Sequence, residues 1–334
     1  MNRNAYYDRL RVLAMFLVIG VHSVGSIAQF AEGTFQETVV TVLGRINSLG
    51  VPTFFALSGM FILAREYDDL KGFYKKRLVR IGIPYLIYAV VYVCYFTGIE
   101  KNDKFGVPLA YVRDVITGNV HPTHWFVYTI LGFYFAAPFL SKMMHALNDT
   151  ELKVLVCGCF IVIAAGWILS YFGMGFGVSS VVFNSDNLWM FIGGYAINRI
   201  IVSDRRFEWI RQYHLISALT FLVLFVVTNE LFFGHIAVFL ALIDGGKEVG
   251  TSKSLFDKVI GDFAGHSYSV YLIHAAVISL ILRVYKNWES FFILKCILIY
   301  PVVFIVSYLI TRVVDFVLTD RLISIALIGA GKSK

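Results

Sequence analysis

Long apolar stretches separated by short polar segments run through the whole chain. Ten of these stretches are candidates for membrane-crossing helices, which need about 20 predominantly apolar residues each, although the eighth is short. They cover residues 11–30, 39–63, 78–98, 124–140, 153–172, 187–202, 213–229, 231–244, 264–283 and 291–318. The pattern therefore predicts an all-α integral membrane protein, with residues 1–334 forming a single ten-helix membrane domain.

Composition supports this class of protein. The chain is 58% hydrophobic and only 15% charged, with a mean hydropathy of +0.73, which is far more apolar than a soluble domain. The first apolar stretch is too long for a cleaved secretory signal, so we expect it to remain as a helix. A net charge of +7 can indicate nucleic-acid binding, but the basic residues lie in loops between spans and form no single basic face. No nucleic-acid partner is expected.

Lysine and arginine are unevenly distributed over the two sides that the spans define. If the N-terminus is cytoplasmic, 22 of the 29 Lys and Arg residues fall in cytoplasmic segments. Positive residues are enriched on the cytoplasmic side of membrane proteins. The distribution predicts cytoplasmic N- and C-termini in a multi-pass protein of the plasma membrane. The longest external loop is then residues 99–123.

The first apolar stretch contains a histidine. From Val12 to Phe30 the chain has no Asp, Glu, Lys or Arg, and His22 lies inside this run. Arg11 precedes it by eleven residues, which on a helix is about three turns and a rise of roughly 16 Å, so both side chains share one face. A polar group near the bilayer centre normally faces a protein interior or a wet cavity and marks a functional site. A buried histidine that a neighbouring helix satisfies is the alternative.

Basic residues open the third span on the predicted cytoplasmic side. Arg77 and Arg80 are three residues apart, so on a helix their guanidinium groups are neighbours. Such a pair suits phosphate oxygens, because each guanidinium can donate two parallel charge-assisted hydrogen bonds. With Arg11 on the same side, the pair indicates a phosphate-bearing cytosolic ligand. An ordinary cytoplasmic anchor, or a site for anionic membrane lipids, is the alternative.

Histidines and aromatic residues lead into the fourth span on the predicted outer side. His121 and His124 are followed by Trp125 and Tyr128. Tryptophan and tyrosine at this position often form an aromatic belt at the membrane interface. The alternative is a substrate site, in which the Trp125 ring stacks on a sugar and His124 bonds to a hydroxyl group.

Two other spans carry polar residues with a favourable spacing. Ser58 and Gly59 follow Pro52 in the second span, where small residues permit close helix contact and the proline is expected to bend the helix. Tyr271 and His274 lie three residues apart in the ninth span and share a face. His274 is therefore a candidate pocket residue.

The motifs of several soluble enzyme classes do not occur in the sequence. There is no nucleophile-elbow serine motif, nucleotide-phosphate loop, zinc-protease motif or dinucleotide fingerprint. The four cysteines are scattered without metal-ligand spacing, and no carboxylate or cysteine lies near His121 and His124 in the sequence. No metal is expected.

Five motifs taken together resemble the acyltransferase-3 family of integral membrane acyltransferases. Their order and their positions on the predicted helices agree with that family. The motifs are Arg11-x10-His22, Pro52-x-Phe-Phe-x-x-Ser58-Gly59, Arg77-x-x-Arg80, His124-Trp125-Phe126-x-Tyr128 and Tyr268-Ser-Val-Tyr271-Leu-Ile-His274. Residues 141–262 resemble the family only in hydropathy and loop pattern.

The resemblance implies a ten-helix bundle that transfers an acyl group, most often acetyl, from cytosolic acetyl-coenzyme A to a hydroxyl group of an extracytoplasmic or lipid-linked carbohydrate. It implies that Arg11 and His22 are the essential pair and that Arg77 and Arg80 face the coenzyme. The residues implied on the acceptor side are His124, Trp125, Tyr128, Ser58, Tyr271 and His274. Some relatives carry a fused extracellular domain that completes the transfer. No such domain is expected in this chain, which would therefore act alone or with a separate extracellular transfer partner.

Two other function classes stay open. In a transporter or flippase, His22, His274 and Arg11 would line a polar pathway without covalent chemistry. The lack of a recognised internal repeat and of carboxylates inside the spans speaks against proton-coupled transport. A membrane sensing or scaffold module without catalysis is the third class.

Overall fold

The computed structural model describes residues 4–174, 186–243, 254–284, 291–319 and 321–323. Within this part of the chain every regular element is helical. The α-helices, numbered α1 to α12 in order, are Ala5–Ile27, Thr34–Ser48, Gly50–Leu63, Leu70–Val93, Val107–Thr117, Trp125–Ala146, Asp149–Tyr171, Asp186–Ser203, Glu208–Thr228, Leu231–Ala241, Leu255–Val284 and Phe292–Val314. Two π-helical turns, Cys94–Glu100 and Asp315–Thr319, continue α4 and α12.

Seven helical segments among the described residues are long and apolar enough to cross a membrane. They are Ala5–Phe30, Thr34–Leu63, Leu70–Ile99, Val107–Ala146, Glu208–Thr228, Leu255–Val284 and Phe292–Ile323. These segments confirm the predicted all-α membrane protein, which is multi-pass. The count of ten spans, the cytoplasmic position of both termini and the single membrane domain stay predictions.

The fifth, sixth and eighth predicted spans form the helices α7, α8 and α10, which are not among these seven segments. α10 has 11 residues and rises about 16 Å, roughly half of a bilayer's hydrocarbon thickness of about 30 Å. α8 has 18 residues, and its Trp189, Met190 and Phe191 are buried in the protein. The apolar character of α8 therefore serves packing between helices.

The second predicted span is divided into two helices, α2 and α3, at Leu49. The sequence predicts that Pro52 bends a continuous helix, but this residue lies in the first turn of α3, where its missing N–H leaves no hydrogen bond unmade. The break brings Gly50 against α1, where a Cβ atom would lie 2.8 Å from the Val18 nitrogen and 2.9 Å from the Ala14 carbonyl oxygen. The helix break thus permits close packing of α3 on α1.

The chain folds into two compact units, each built from segments that are distant in the sequence. Unit 1 comprises residues 1–66, 137–264 and 289–296, and unit 2 comprises residues 67–136, 265–288 and 297–334. Arg11, His22 and Ser58 belong to unit 1, whereas the other predicted site residues belong to unit 2.

Glycines control the closest helix contact of unit 1, between α3 and α8. A Cβ atom at Gly59 would overlap the carbonyl oxygen of Phe191, and one at Gly194 would overlap the carbonyl oxygen of Ala56. The backbones of α3 and α8 are therefore in direct contact at two points, one at a glycine of each helix. Small residues give this kind of contact in membrane helices because it adds van der Waals contact that lipid cannot replace.

In unit 2, α4 is flanked by α6 and by the second half of α11. Tyr85 of α4 meets Tyr128 of α6, and Tyr92 meets His124, the residue just before α6, so α6 runs antiparallel to α4. The Tyr268 hydroxyl of α11 donates to the Ile81 carbonyl at 3.0 Å, and the Ala276 N–H donates to the Tyr92 hydroxyl at 3.2 Å. α11 therefore runs parallel to α4.

The predicted external loop, residues 99–123, contains the short helix α5. Val107 lies beside Gly98 at the end of α4, and the Tyr111 hydroxyl donates to the Leu86 carbonyl at 3.0 Å. α5 thus turns back along α4 instead of extending away from it. It ends at Gly118, whose φ of +78° is the left-handed conformation that glycine adopts without strain.

Ion pairs join two predicted cytoplasmic segments of unit 1. Asp204 pairs with Arg206 at 2.7 Å and with Lys153 at 2.6 Å. The hydrogen bonds from Arg206, and then from Lys153, hold the pKa of the Asp204 carboxyl well below its usual range. Arg199 donates to the Met144 carbonyl at the end of α6. These basic residues have structural partners, so they are weaker candidates for binding a cytosolic ligand.

Candidate functional site

Arg11 lies near the start of α1, where a carboxylate and an aromatic ring contact its side chain. Its Nη1 atom is 3.2 Å from Asp8 Oδ1, and its guanidinium carbon is 5.2 Å from the centre of the Phe61 ring on α3. The Tyr7 ring meets the same Phe61 ring edge-on at 5.2 Å. Asp8 is only 3% exposed. The carboxylate and the ring therefore fix the position of the Arg11 side chain, which is half-buried.

His22 lies on the same helix, half-buried within the first membrane span. Because α1 is helical from Ala5 to Ile27, the two side chains share a face with a separation of roughly 16 Å along the axis. The Ser26 hydroxyl donates to the backbone carbonyl of His22 at 2.7 Å. α1 therefore presents a cation at its start and an imidazole well inside the span.

Ser58 lies on α3, which packs against α1 in the same unit. It is half-buried and precedes Gly59, the residue in closest contact with α8. Its hydroxyl is held on a helix that cannot move without separating α3 from α8. Ser58 is therefore on a rigid part of unit 1, and its role as an acceptor residue stays a prediction.

The two arginines of α4 differ in their surroundings. The Arg77 guanidinium carbon lies 5.5 Å from the centre of the Phe73 ring and 5.1 Å from the centre of the Tyr134 ring. Arg80, one turn later, is exposed. When a guanidinium group lies over an aromatic ring, the ring holds its flat face. The N–H groups point outward in the guanidinium plane, where they can bind an anion. Arg77 is therefore better positioned than Arg80 to bind an anionic group.

Four of the predicted acceptor residues lie in one buried group of rings in unit 2. The Tyr271 hydroxyl donates to the Thr123 carbonyl, and His274 Nδ1 donates to the Tyr271 carbonyl. His124 Nε2 donates to the Leu272 carbonyl at 3.1 Å. Together with Tyr128 they form what we call the ring cluster, defined by Tyr85, Tyr92, Phe96, His121, His124, Tyr128, Tyr271 and His274.

His124 is the central residue of the ring cluster. It is fully buried, with ring centres 4.7 Å from Tyr92, 5.6 Å from Tyr85 and 5.9 Å from His121. Since Nε2 donates to Leu272, the neutral ring has an unprotonated Nδ1 atom. That atom is buried and has no hydrogen-bond partner among the described residues. His124 therefore offers an acceptor atom to a hydroxyl group.

Trp125 is the exposed neighbour of the ring cluster. It is 43% exposed, and its ring meets Phe126 edge-on at 6.4 Å. The Tyr128 hydroxyl, by contrast, donates to the Val115 carbonyl of α5 and accepts a 2.7 Å hydrogen bond from the Tyr85 hydroxyl. The two aromatic residues of this motif therefore differ: Trp125 is exposed, whereas Tyr128 is hydrogen-bonded within the protein. An exposed indole face suits either a membrane interface or a sugar.

Sequence reasoning missed the tyrosines of α4. Tyr85 and Tyr92 are seven residues apart, which is nearly two turns, so they share the face that meets His124. The spacing is visible in the sequence, but tyrosine is common throughout this chain. Asp8, which positions Arg11, was also not predicted as a site residue.

A groove of about 590 Å³ lies on the other face of α4 and α11. Apart from the Tyr88 hydroxyl its lining is aliphatic, with Ile87, Val91, Ile273 and Val277 among its walls. A carbohydrate or a coenzyme requires several polar groups to satisfy its own. The groove fits a hydrocarbon chain and is not a candidate for either substrate.

The expectation that the spans contain no carboxylate is wrong. Asp8 is 3% exposed within the segment Ala5–Phe30, and Asp315 is 6% exposed within Phe292–Ile323. Each of the two residues lies near the end of a long apolar helix, so the high average hydropathy of the segment gives no sign of the single carboxylate. This argument against proton-coupled chemistry therefore does not hold. Among the described residues no group of three or more His, Cys, Asp or Glu is arranged to hold a metal ion.

The apolar helices, the Arg11–His22 face and the buried ring cluster define a membrane protein with polar chemistry inside its spans. The chain belongs to the acyltransferase-3 family: the family profile, described as an acyltransferase domain, matches residues 4–312. The match covers nearly the whole chain and confirms the family resemblance. The protein is therefore a membrane acyltransferase. No curated protein and no solved structure matches the chain.

Proposed function

We propose that the protein transfers an acyl group, most often acetyl, from cytosolic acetyl-coenzyme A to a hydroxyl group of an extracytoplasmic or lipid-linked carbohydrate at the plasma membrane. The observation that carries the proposal is the shared face of Arg11 and His22 on α1, in a chain that belongs to an acyltransferase family. An imidazole inside a span supplies the base that acyl transfer requires, and a positioned cation at the start of the same helix supplies charge for binding an anionic donor.

Arg77 and Arg80 would bind the phosphate groups of the donor. Coenzyme A is rich in phosphate, and guanidinium groups bind phosphate oxygens in pairs of charge-assisted bonds. Arg77 is the stronger candidate, because its guanidinium group is held over the rings of Phe73 and Tyr134. Less orientational freedom is then lost when the phosphate binds. Other basic residues on this side would contact anionic membrane lipids.

His22 would act in one of two ways. As a general base it takes the proton of the acceptor hydroxyl, while the oxygen attacks the thioester carbonyl and coenzyme A leaves as the thiol after receiving a proton. As a nucleophile it first forms an acyl-imidazole with release of coenzyme A, and the acceptor hydroxyl then displaces the imidazole. Arg11, roughly 16 Å from His22 along α1, would bind the phosphate-bearing part of the donor near the start of the helix.

The ring cluster would bind the acceptor. The buried Nδ1 atom of His124 can accept a hydrogen bond from a sugar hydroxyl, and the exposed Trp125 ring can stack on a sugar face. The acceptor residues proposed in unit 2 are His124, Trp125, Tyr128, Tyr271 and His274, and Ser58 is the acceptor residue proposed in unit 1. A separate extracellular partner that completes the transfer to a polymer remains part of the proposal.

Replacing Arg77 with alanine is expected to weaken acetyl-coenzyme A binding by about 10- to 100-fold, because one charge-assisted hydrogen-bonding group is worth about 1.5–3 kcal/mol. Calorimetry on the purified protein in detergent measures the dissociation constant directly. His22→Ala is expected to retain binding, since the imidazole acts on the acyl group and contributes little to the affinity for the phosphates.

The matched control is Lys76→Ala, which removes an exposed positive charge one residue earlier on the same helix. If Lys76→Ala weakens binding as much as Arg77→Ala, the effect is one of general surface charge and Arg77 has no specific role. Because Arg77 also contacts two rings, each variant's thermal midpoint must be compared with that of the wild type. Failure of the well-folded wild type to bind would favour transport.

His124→Phe is expected to raise the acceptor's KM by roughly fivefold while leaving acetyl-coenzyme A binding unchanged. The change keeps a planar ring in the ring cluster and removes the proposed hydrogen bond to the acceptor, worth about 1 kcal/mol. It also removes the bond from Nε2 to the Leu272 carbonyl. Steady-state kinetics with a panel of hydroxyl acceptors at saturating donor measure the effect. An equal loss for donor and acceptor would indicate a structural defect instead.

A further inference from the structure

Four buried polar residues follow one another at every fourth position of α12 and the π-helical turn after it. They are Ser307, Thr311, Asp315 and Thr319, with exposures of 0%, 0%, 6% and 3%. Residues four apart lie on one face of a helix, so these side chains form a single row, here called the polar row. It lies within the segment Phe292–Ile323, which is apolar enough to cross a membrane.

The polar row faces hydroxyl groups of two other helices in unit 2. The Tyr88 hydroxyl of α4 donates to Asp315 Oδ1 at 3.4 Å, and Ser269 of α11 hydrogen-bonds to the same tyrosine. Thr311 donates to the Tyr308 carbonyl at 2.9 Å. The carboxyl group therefore lies among hydroxyl groups from three helices, away from lipid.

Two members of the polar row have unsatisfied hydroxyl groups. The Ser307 and Thr319 oxygens are buried and have no hydrogen-bond partner among the described residues. Buried polar groups of this kind are normally satisfied by ordered water. Since one lies before Asp315 and the other after it, water bound at these positions would be placed on both sides of the carboxyl group.

Helix packing alone does not account for the polar row. Serine and threonine pack well between membrane helices because they are small. A carboxyl group adds no packing advantage at such an interface and carries a large desolvation cost when it is ionised. The π-helical turn starts at Asp315 itself, and such turns are frequent at functional sites.

We propose that the polar row is an intramembrane proton site, in which the Asp315 carboxylate takes a proton from hydronium, leaving water, and later returns it to water. The hydroxyl groups of Ser307 and Thr319 hold the waters that carry the proton to and from the carboxyl group. Titratable or charged groups on the elements that pack here include Tyr88 on α4, which donates to Asp315, His266 of α11, whose ring meets Tyr308, and Arg312 on the same helix. This site is separate from the acyl-transfer residues proposed above.

Infrared difference spectroscopy on the full chain in lipid nanodiscs tests the proposal without any acyl donor. As the pH is stepped, the wild type is expected to show the carbonyl band of a protonated carboxyl group, and Asp315→Asn is expected to lack it. Asp68→Asn, which removes an exposed carboxylate, is the matched control and should keep the band. Tyr88→Phe removes one hydroxyl group from the carboxyl and should move the band.

The proposal is overturned if the carbonyl band is still present in Asp315→Asn. It is also overturned if the frequency of the band is the same in Tyr88→Phe as in the wild type. Should Asp315→Asn not fold, Tyr88→Phe and Ser307→Ala decide the question. Ser307→Ala removes only an unsatisfied hydroxyl, so a structural role alone predicts an unchanged or higher thermal midpoint and unchanged deuterium exchange of the band. The proposed water carrier predicts slower exchange. Neither result depends on acyl transfer.

Discussion

His22→Ala is expected to abolish acyl transfer while the protein still folds and binds acetyl-coenzyme A. Loss of a general base alone costs about 10²- to 10⁴-fold in rate, and loss of a nucleophile removes the acyl-imidazole pathway altogether. The side chain is half-buried within α1, so its truncation removes little packed surface. The expected loss is therefore one of chemistry, with little effect on stability.

The measurement is acetyl transfer from acetyl-coenzyme A to a panel of carbohydrate acceptors by the purified protein. Ser26→Ala is the matched control, because it removes a hydroxyl one turn away that bonds only to the His22 carbonyl and is expected to retain activity. An active His22→Ala protein with normal kinetics would refute the assignment of His22. A trapped acetyl-His22 adduct selects the nucleophile, whereas a burst without an adduct favours the general base.

Arg11 is expected to depend on its neighbours for its position. Its guanidinium group is held by Asp8 and the Phe61 ring, so unit 1 contains a prearranged cation at the start of the first span. A prearranged cation loses less conformational freedom than a flexible one when an anionic group binds to it. The buried Asp8 carboxylate thus has a positioning role that the spacing of Arg11 and His22 alone does not reveal.

The parts of the fold that the sequence predicts are those set by local pattern. Uninterrupted apolar stretches such as the one around His22 identify membrane helices, and the eleven-residue spacing from Arg11 places both residues on one face of α1. The helix break at Leu49 was not predicted, because it is favoured by close packing of Gly50 on α1. Such contacts depend on residues far away in the chain.

The predicted site was incomplete for the same reason. His124 and His274 are candidates because of their polarity inside or beside apolar spans, but their partners Tyr85 and Tyr92 come from another helix and carry no distinctive local signal. The polar row containing Asp315 has a clear four-residue period, yet average hydropathy conceals it. Looking for polar residues at helical spacing within apolar stretches would have found that row.

Gly59→Ala is expected to be among the most destabilising single substitutions in unit 1. The added methyl group would overlap the Phe191 carbonyl oxygen, so α3 and α8 must separate for it to fit. The neighbouring contact of Gly194 with the Ala56 carbonyl would then be lost as well. Overpacking of this kind costs on the order of 3 kcal/mol, and here the obstacle is backbone that cannot rotate away.

Gly44→Ala in α2 is the matched control, because a Cβ atom there meets nothing within 4 Å. It is expected to stabilise the protein by up to about 1 kcal/mol, since alanine favours a helix more than glycine does. Thermal unfolding in detergent should therefore move in opposite directions for the two variants. If both lower the midpoint equally, α3 and α8 are not in contact through Gly59, and the placement of Ser58 on a rigid helix fails with it.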